Sequence, residues 1–353
     1  MVNTKRRRAF PITSACGILA LCSGIWWYGT FLHQQSLNRG LLKAIRTNDA
    51  ARVHTLLVHG ADANARSDSA ERTTIIQDLQ AFVASVQHKS PRQKRGMPAL
   101  ELLLSGLVRS QFTNVLKSPA NLSIAVDLIR HGADINVLGE YGDTPLSVAA
   151  GYGDFDYVRL LLENGANPNL YSLGDGAPLI SLVTNSWQRG CPQTAIVKLL
   201  LQKGAIVNVQ NSIGESPLTN AIGAADIELS SLLRSRGANP NTRDRDGNTP
   251  LMNLIHAGYL FDSAPSPVIK FMLNNGADVN LQNTKGDSPI AYAVIAGDVS
   301  LLRELLARGA NPNTRDKRGM SPYGIALLQN GGRYTKEQRR DILALLKRCG
   351  AKP

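Results

Sequence analysis

The dipeptide Gly-Ala returns at Gly60-Ala61, Gly132-Ala133, Gly165-Ala166, Gly204-Ala205, Gly237-Ala238, Gly276-Ala277, Gly309-Ala310 and Gly350-Ala351, at intervals of 72, 33, 39, 33, 39, 33 and 41 residues. A second mark runs in register with it: a small residue, then Pro, then usually an apolar one. It stands at Thr144-Pro145-Leu146, Ala177-Pro178-Leu179, Ser216-Pro217-Leu218, Thr249-Pro250-Leu251, Ser288-Pro289-Ile290 and Ser321-Pro322-Tyr323. Two marks sharing one period demand a tandem array of small units that bury their apolar faces on one another. Thr or Ser before Pro predicts a helix start, since the hydroxyl accepts free backbone N–H groups and Pro loses nothing at the first helical position. Gly before Ala predicts the end of a second helix, where a left-handed residue closes the last turn. Between them, segments such as Val158-Arg159-Leu160-Leu161-Leu162 carry helical apolar periodicity.

Composition narrows the core. Five of 19 aromatic residues (Phe10, Trp26, Trp27, Tyr28 and Phe31) precede residue 33, so the repeats must pack mainly Leu, Ile, Val and Ala. A hydrophobic content of 43% excludes a disordered chain, and four cysteines exclude a disulfide-built scaffold. The formal charge is +12, of which residues 5–8 supply +4; the remaining +8 is spread too widely to indicate nucleic-acid binding.

The combination resembles the ankyrin repeat, with Thr144-Pro145-Leu146-Ser147-Val148-Ala149-Ala150 through Asn164-Gly165-Ala166-Asn167-Pro168-Asn169 as the best copy. The resemblance covers residues 37–353 and implies an all-α fold, a solenoid of about eight helix-turn-helix repeats. The histidine usual after Thr-Pro-Leu is replaced by Ser147, Ile180, Thr219, Met252 and Ala291, which predicts a weaker inter-repeat hydrogen-bond ladder and a less stable array.

Departures from the period locate insertions. Six extra residues lie between the helices of the copies near Ala177 and Thr249, and eight in the copy near Ser321, with Trp187, Tyr259, Phe261 and Tyr334 in or beside them. The interval of 72 hides a degraded mark at Met97-Pro98-Ala99 and an inserted segment at about 67–95. There Ile76, Leu79, Val83 and Val86 fall on one helical face, and Lys89, Arg92, Lys94 and Arg95 form a basic cluster expected to meet anionic lipid or an acidic partner.

Residues 9–32 contain no charge, and as a helix they would reach about 36 Å, against about 30 Å for a bilayer core. The expectation is a single N-terminal transmembrane anchor at 9–32. Residues 1–8 form a basic cytoplasmic tail and the repeats stand outside, in the periplasm or another extracytoplasmic space. A cleaved signal peptide is the rival, although no clean small-x-small site precedes Trp26.

No catalytic constellation emerges. His33, His54, His59, His88, His131 and His256 are scattered over the copies, and His59 and His131 share one position before Gly-Ala. Asp143, Glu215, Asp246 and Asp287 recur at turns. Phosphate loops, metal-type cysteine pairs and nucleophile elbows are absent from the sequence. Cys191 and Cys349 lie four copies apart, too far to bridge.

The expected role is a non-catalytic protein-binding scaffold with no cofactor, metal, nucleic acid or small-molecule substrate. It is tethered and displayed outside the cytoplasm, as an immunity-type inhibitor of a partner protein or, alternatively, an envelope assembly protein on anionic lipid. In arrays of this kind the turn tips and first helices face the partner. Those positions carry Tyr141, Tyr152, Tyr171, Leu173 and Ile213 in the third to fifth copies, and Arg243, Arg245, Lys285, Arg315, Lys317 and Arg318 in the sixth to eighth.

Overall fold

The computed structural model describes residues 15–67, 97–100, 103, 119–139, 142–172, 176–185, 193–258, 267–328 and 335–352, with backbone alone for 15–27, 97–98, 119–120, 185 and 258. The chain divides into two compact units, Met1–Glu140 and Tyr141–Pro353.

In the first unit, α1 (Ala15–Arg46) packs on α2 (Ala50–Val58), which packs on α3 (Pro119–Arg130). A two-residue ladder pairs β1 (Arg66–Ser67) with β2 (Met97–Pro98) in antiparallel register, a strand element that the all-α expectation did not include. The C-terminal end of α1 is the first helix of the first repeat: Leu41, Leu42, Ala44 and Ile45 are buried, and nothing interrupts the helix between the charge-free segment and these residues. Among the described residues no helix is long and apolar enough to cross a membrane. Residues 9–14 of the expected anchor, and the side chains of 15–27, lie outside the described residues.

The second unit is a solenoid of helix pairs: α4 (Pro145–Gly151) with α5 (Phe155–Glu163), α6 (Pro178–Asn185) with α7 (Gln193–Gln202), and α8 (Pro217–Gly223) with α9 (Ile227–Ser235). Then come α10 (Pro250–Gly258) with α11 (Pro267–Asn274), α12 (Pro289–Ala296) with α13 (Val299–Ala307), and α14 (Pro322–Leu328) with α15 (Lys336–Arg348). Each first helix touches the first helix of the next copy, and among second helices α5 packs on α7, α7 on α9 and α13 on α15. The core between them is aliphatic, with Leu146, Leu161, Leu179, Ile196 and Leu200 fully buried.

The sequence marks do their expected work. Thr144 caps α4 through a capping box with Ser147, and Ser216 does the same for α8 with Thr219. All eight glycines of the Gly-Ala marks have positive φ, from +84° at Gly132 and Gly309 to +91° at Gly60. His59 and His131 repeat one bond, donating from Nδ1 to the carbonyl four residues back, Thr55 O at 2.7 Å and Asp127 O at 2.8 Å.

The ladder expected to be weak has a different carrier. Among the described residues, at six of the eight Gly-Ala marks the asparagine four residues after the glycine bonds the next copy with both polar atoms: Asn64, Asn169, Asn208, Asn241, Asn280 and Asn313. Asn241 Nδ2 donates to Gly276 O at 3.0 Å while its Oδ1 accepts from Asp278 N at 2.8 Å. Asn169 makes the same pair with Gly204 O and Ile206 N, Asn280 with Gly309 O and Asn311 N, and Asn313 with Gly350 O and Lys352 N. Within the first unit Asn64 bonds Gly132 O and Asp134 N. The missing histidine thus leaves a directional inter-repeat ladder intact.

Second helices of the uninserted copies begin on aspartate caps, Asp49, Asp154, Asp226 and Asp298. The residue before each cap has left-handed backbone: Asn48, Gly153, Ala225 and Gly297.

Two stability outcomes follow. Asn241→Ala removes two bonds and should lower stability by about 1–2 kcal/mol in urea unfolding, whereas Asn253→Ala, off the ladder, should cost less. Ala225 holds φ +57° without being glycine, so Ala225→Gly should stabilise by up to about 1 kcal/mol against the general cost of glycine; a lower midpoint would contradict the strain.

Candidate protein-binding surface

In the four tips between Gly204 and Ser321, the stretch from each Gly-Ala mark to the next Pro mark is a hairpin built on one Asn or Asp. Asn211 Oδ1 accepts from Ile213 N and Glu215 N, Asp244 Oδ1 from Asp246 N and Asn248 N, Asn283 Oδ1 from Lys285 N and Asp287 N, and Asp316 Oδ1 from Arg318 N and Met320 N. Successive tips are stitched by backbone: Arg245 N to Ile213 O at 3.2 Å, Thr284 N to Asp246 O at 2.9 Å, and Lys317 N to Lys285 O at 2.9 Å. Glycine makes this approach possible. A Cβ on Gly214 would lie 2.7 Å from Asp244 Cα, and one on Gly286 would lie 2.9 Å from Asp316 Cα. The result from Ile213 to Met320 is a continuous ribbon.

The ribbon sorts charge by side. Asp244 and Asp316 turn their carboxylates into the hairpins, and Asp244 Oδ2 also accepts from Asn253 Nδ2 at 3.0 Å. Beneath the ribbon, Asn248 Oδ1 accepts from Asn283 Nδ2 at 2.8 Å, and Tyr292 sits in the same network beside His256, ring centroids 5.6 Å apart. Burial, then the nearby Asp287 carboxylate, hold the Tyr292 hydroxyl above its ordinary pKa. The cations point outward, yet three of the six expected tip cations are engaged. Arg243 Nη1 donates to Gln282 O at 2.8 Å, Arg315 Nη1 to Gly319 O at 2.7 Å, and Arg318 pairs with Asp316 through Nε at 2.9 Å and Nη2 at 2.8 Å. The side chains of Arg245, Lys285 and Lys317 are exposed and take no bond or ion pair among the described residues.

Of the apolar positions, Tyr171 is 49% and Ile213 48% exposed, while Tyr152 is half-buried at the end of α4. Tyr141, Leu173, Lys89, Arg92, Lys94 and Arg95 lie outside the described residues, as do Trp187, Tyr259, Phe261 and Tyr334 of the opposite edge. Sequence reading missed Gln210 and Gln282, whose Nε2 atoms each bond the glycine carbonyl of their own tip and a carbonyl of the next. Their equivalence, 72 residues apart, was visible in the chain. Among the described residues no group of three or more His, Cys, Asp or Glu is placed to hold a metal ion.

Asp316 gives the surface a pH signature. Burial raises its carboxyl, but the amides of Met320 and Arg318 and the Arg318 guanidinium outweigh burial and leave it below the ordinary carboxylate value. Its stabilising contribution is full above the unfolded value of about 4 and is lost as pH falls through the lower folded value. Asp316→Asn keeps the amide-accepting oxygen, as Asn211 and Asn283 do. The variant's melting temperature should therefore fall less between pH 5 and pH 3 than that of the unaltered chain; equal slopes would contradict the assignment.

Residues 128–180 and 272–326 match a family model described as ankyrin repeats in many copies, and residues 246–284 match the model of the single ankyrin repeat. The B-cell lymphoma 3 protein homolog of Mus musculus is 28% identical over 197 residues, covering 55% of this chain and 34% of that protein. Rabankyrin-5 of Homo sapiens is 26% identical over 256 residues, covering 56% of this chain and 22% of that protein. An ankyrin repeat domain from Acinetobacter baumannii aligns at 23% identity with a TM-score of 0.49, covering 59% of this chain and 98% of that structure. This chain therefore spans between about a fifth and a third of these two curated relatives' length. The Gly-Ala closures, the Pro-marked helix starts and the stitched tips stand in the register of these matched segments, which are ankyrin repeats.

Proposed function

We propose that this chain is a non-catalytic protein-binding array whose tip ribbon meets a partner presenting acidic groups beside an apolar patch. The observation that carries this reading is the charge sorting along the ribbon. The carboxylates of Asp244 and Asp316 are consumed inside the hairpins and Asp246 alone is exposed beside Arg245, whereas Arg245, Lys285 and Lys317 stand free in solvent on successive tips that begin at the exposed Ile213. Ankyrin repeats are interaction modules, and neither family model matched here describes an enzyme.

The finer reading is a tethered binder. Residues 9–32 anchor the chain in a membrane with the basic tail in the cytoplasm, and the repeats are displayed on the far side as an immunity-type inhibitor. It is supported by the charge-free run and by the continuity of α1, which joins that run to the first repeat without a linker. From Leu32 to the buried Leu41 a helix advances only about 14 Å, so such an anchor would hold the first repeat close to the lipid surface.

Two outcomes test these statements. Cys349 is free and exposed, so an impermeant maleimide added to intact cells with the outer barrier opened should label it, and the label should be lost in Cys349→Ser. Labelling of Cys349 only after lysis would place the repeats inside. In a crosslinked pull-down with the intact protein, Arg245→Glu with Lys285→Glu and Lys317→Glu should slow association about tenfold and reduce its salt dependence. A partner captured equally well by the reversed and unaltered chains would remove the ribbon from the interface.

A further inference from the structure

The last repeat departs from its neighbours in a way the protein-binding reading does not use. An open groove of about 530 Å³ lies between its tip and α14, lined by Ile295, Met320, Ile325, Leu328 and Arg318. Ile325 is buried at its floor, whereas Leu328 is 69% exposed among the described residues, with Leu327 beside it also exposed. Leaving two leucines of one helix end in water forfeits burial of about 25 cal/mol per Å² of apolar surface, which a bound apolar side chain would recover.

A glycine stands beside the groove-lining Met320, where the other copies carry a side chain. Gly324 occupies the helical position held in the other copies by Ser147, Ile180, Thr219, Met252 and Ala291. A Cβ there would come within 3.3 Å of Met320 Cε, so any larger residue would push the methionine or fill the space. Glycine inside a helix is less favourable than alanine by up to about 1 kcal/mol, and here the open space accompanies that cost.

The rim is cationic on the ribbon side. Arg318 spends Nε and Nη2 on Asp316, yet its side chain remains 77% exposed while the aspartate is 3% exposed. Lys317 and Lys285 are joined through backbone, with both ammonium groups free, and Arg315 lies on the same tip. The acids of these two tips are Asp278, Asp287 and Asp316; Asp316 is buried in its hairpin, and against the other two stand Lys285, Arg315, Lys317 and Arg318, which leaves the outward charge positive.

We propose that this groove receives one apolar side chain of the size of Leu, Met or Phe from an acidic peptide segment of the partner. Flanking carboxylates lie against Lys285, Lys317 and Arg318. The inference rests on the protein-binding reading and names the partner chemistry of one end of the ribbon. An apolar pocket walled on one side by fixed cations selects a carboxylate-flanked side chain over a uniformly charged surface, because only the former fills the groove and pairs with the rim together.

The test is selection of displayed random dodecapeptides on the full chain purified in mild detergent, followed by anisotropy titration of the enriched peptides. The expected consensus is a single Leu, Met or Phe flanked by Asp or Glu. Leu328→Ser, at an exposed position where folding is not at stake, should weaken binding about tenfold, and Gly324→Leu should weaken it at least as much. Lys285→Ser with Lys317→Ser should raise Kd and flatten its salt dependence. Enriched peptides without acidic residues, binding that ignores Leu328→Ser, or no enrichment at all would each overturn the groove. The reading beneath it falls separately, only if the crosslinked pull-down also yields no partner.

Discussion

An asparagine side chain with an acceptor and a donor set about two ångströms apart can grip one peptide turn from both sides, and this array hangs on that grip. Aliphatic packing between helix pairs supplies most of the driving force but has no direction, so stacked repeats of Leu and Ile could slide or rotate past one another. The bidentate bond from Asn241 to Gly276 O and Asp278 N fixes the register of two closing turns. Aspartate at the same place would accept but not donate, and glutamine is a methylene too long for the same geometry. In α1 the grip is divided: Asn38 Oδ1 accepts from Asp62 N and Gln34 Nε2 donates to Gly60 O, one helical turn apart. The first repeat is thereby held by the long helix itself.

Much of this was legible because the relevant chemistry is local. A Gly-Ala mark closes a helix, and those closures hold from Gly60 to Gly350; a Thr-Pro or Ser-Pro mark opens one, with the hydroxyl capping at Thr144 and Ser216, whereas Ser288 turns its hydroxyl to Thr314 and makes no cap bond. The aspartate caps were equally local and went unread, although Gly153-Asp154 and Gly297-Asp298 repeat 144 residues apart. What composition and pattern could not register was contact between copies. Arg243 looked like a free tip cation, but its partner is Gln282 O, 39 residues on. The histidine rule likewise pointed to a weak ladder because it considered one carrier, while the asparagine of Gly-Ala-Asn-Pro-Asn performed the bonding. The basic cluster at Lys89, Arg92, Lys94 and Arg95 belongs to an insertion whose register the repeat period does not determine.

Charge on the ribbon follows from turn construction more than from composition. A hairpin of this type needs an oxygen that accepts two amides, and Asn and Asp serve equally well: the position holds Asn211, Asp244, Asn283 and Asp316 in turn. Whenever it is Asp, a negative charge is drawn into the tip and accepts N–H groups there, so it faces the hairpin and not the approaching partner, as Asp244 and Asp316 do. A surface can therefore be strongly basic to an approaching partner although the chain's excess charge is modest.

The pair of repeats, 72 residues long, is the unit that recurs with its bonds intact. Gln210 and Gln282 bond the same atoms, as do Ser216 with Thr242 and Ser288 with Thr314. A partner binding only the shared pattern would find several equivalent registers along the ribbon and no reason to prefer one. The last repeat breaks the equivalence three times. Arg315 turns onto Gly319 of its own tip where Arg243 reaches the next, Arg318 pairs with a buried aspartate, and Gly324 stands beside the groove lined by Met320 and Leu328 where the other copies carry a side chain. In a periodic scaffold a unique register requires a unique site, and these three departures fall within one tip and the helix that follows it.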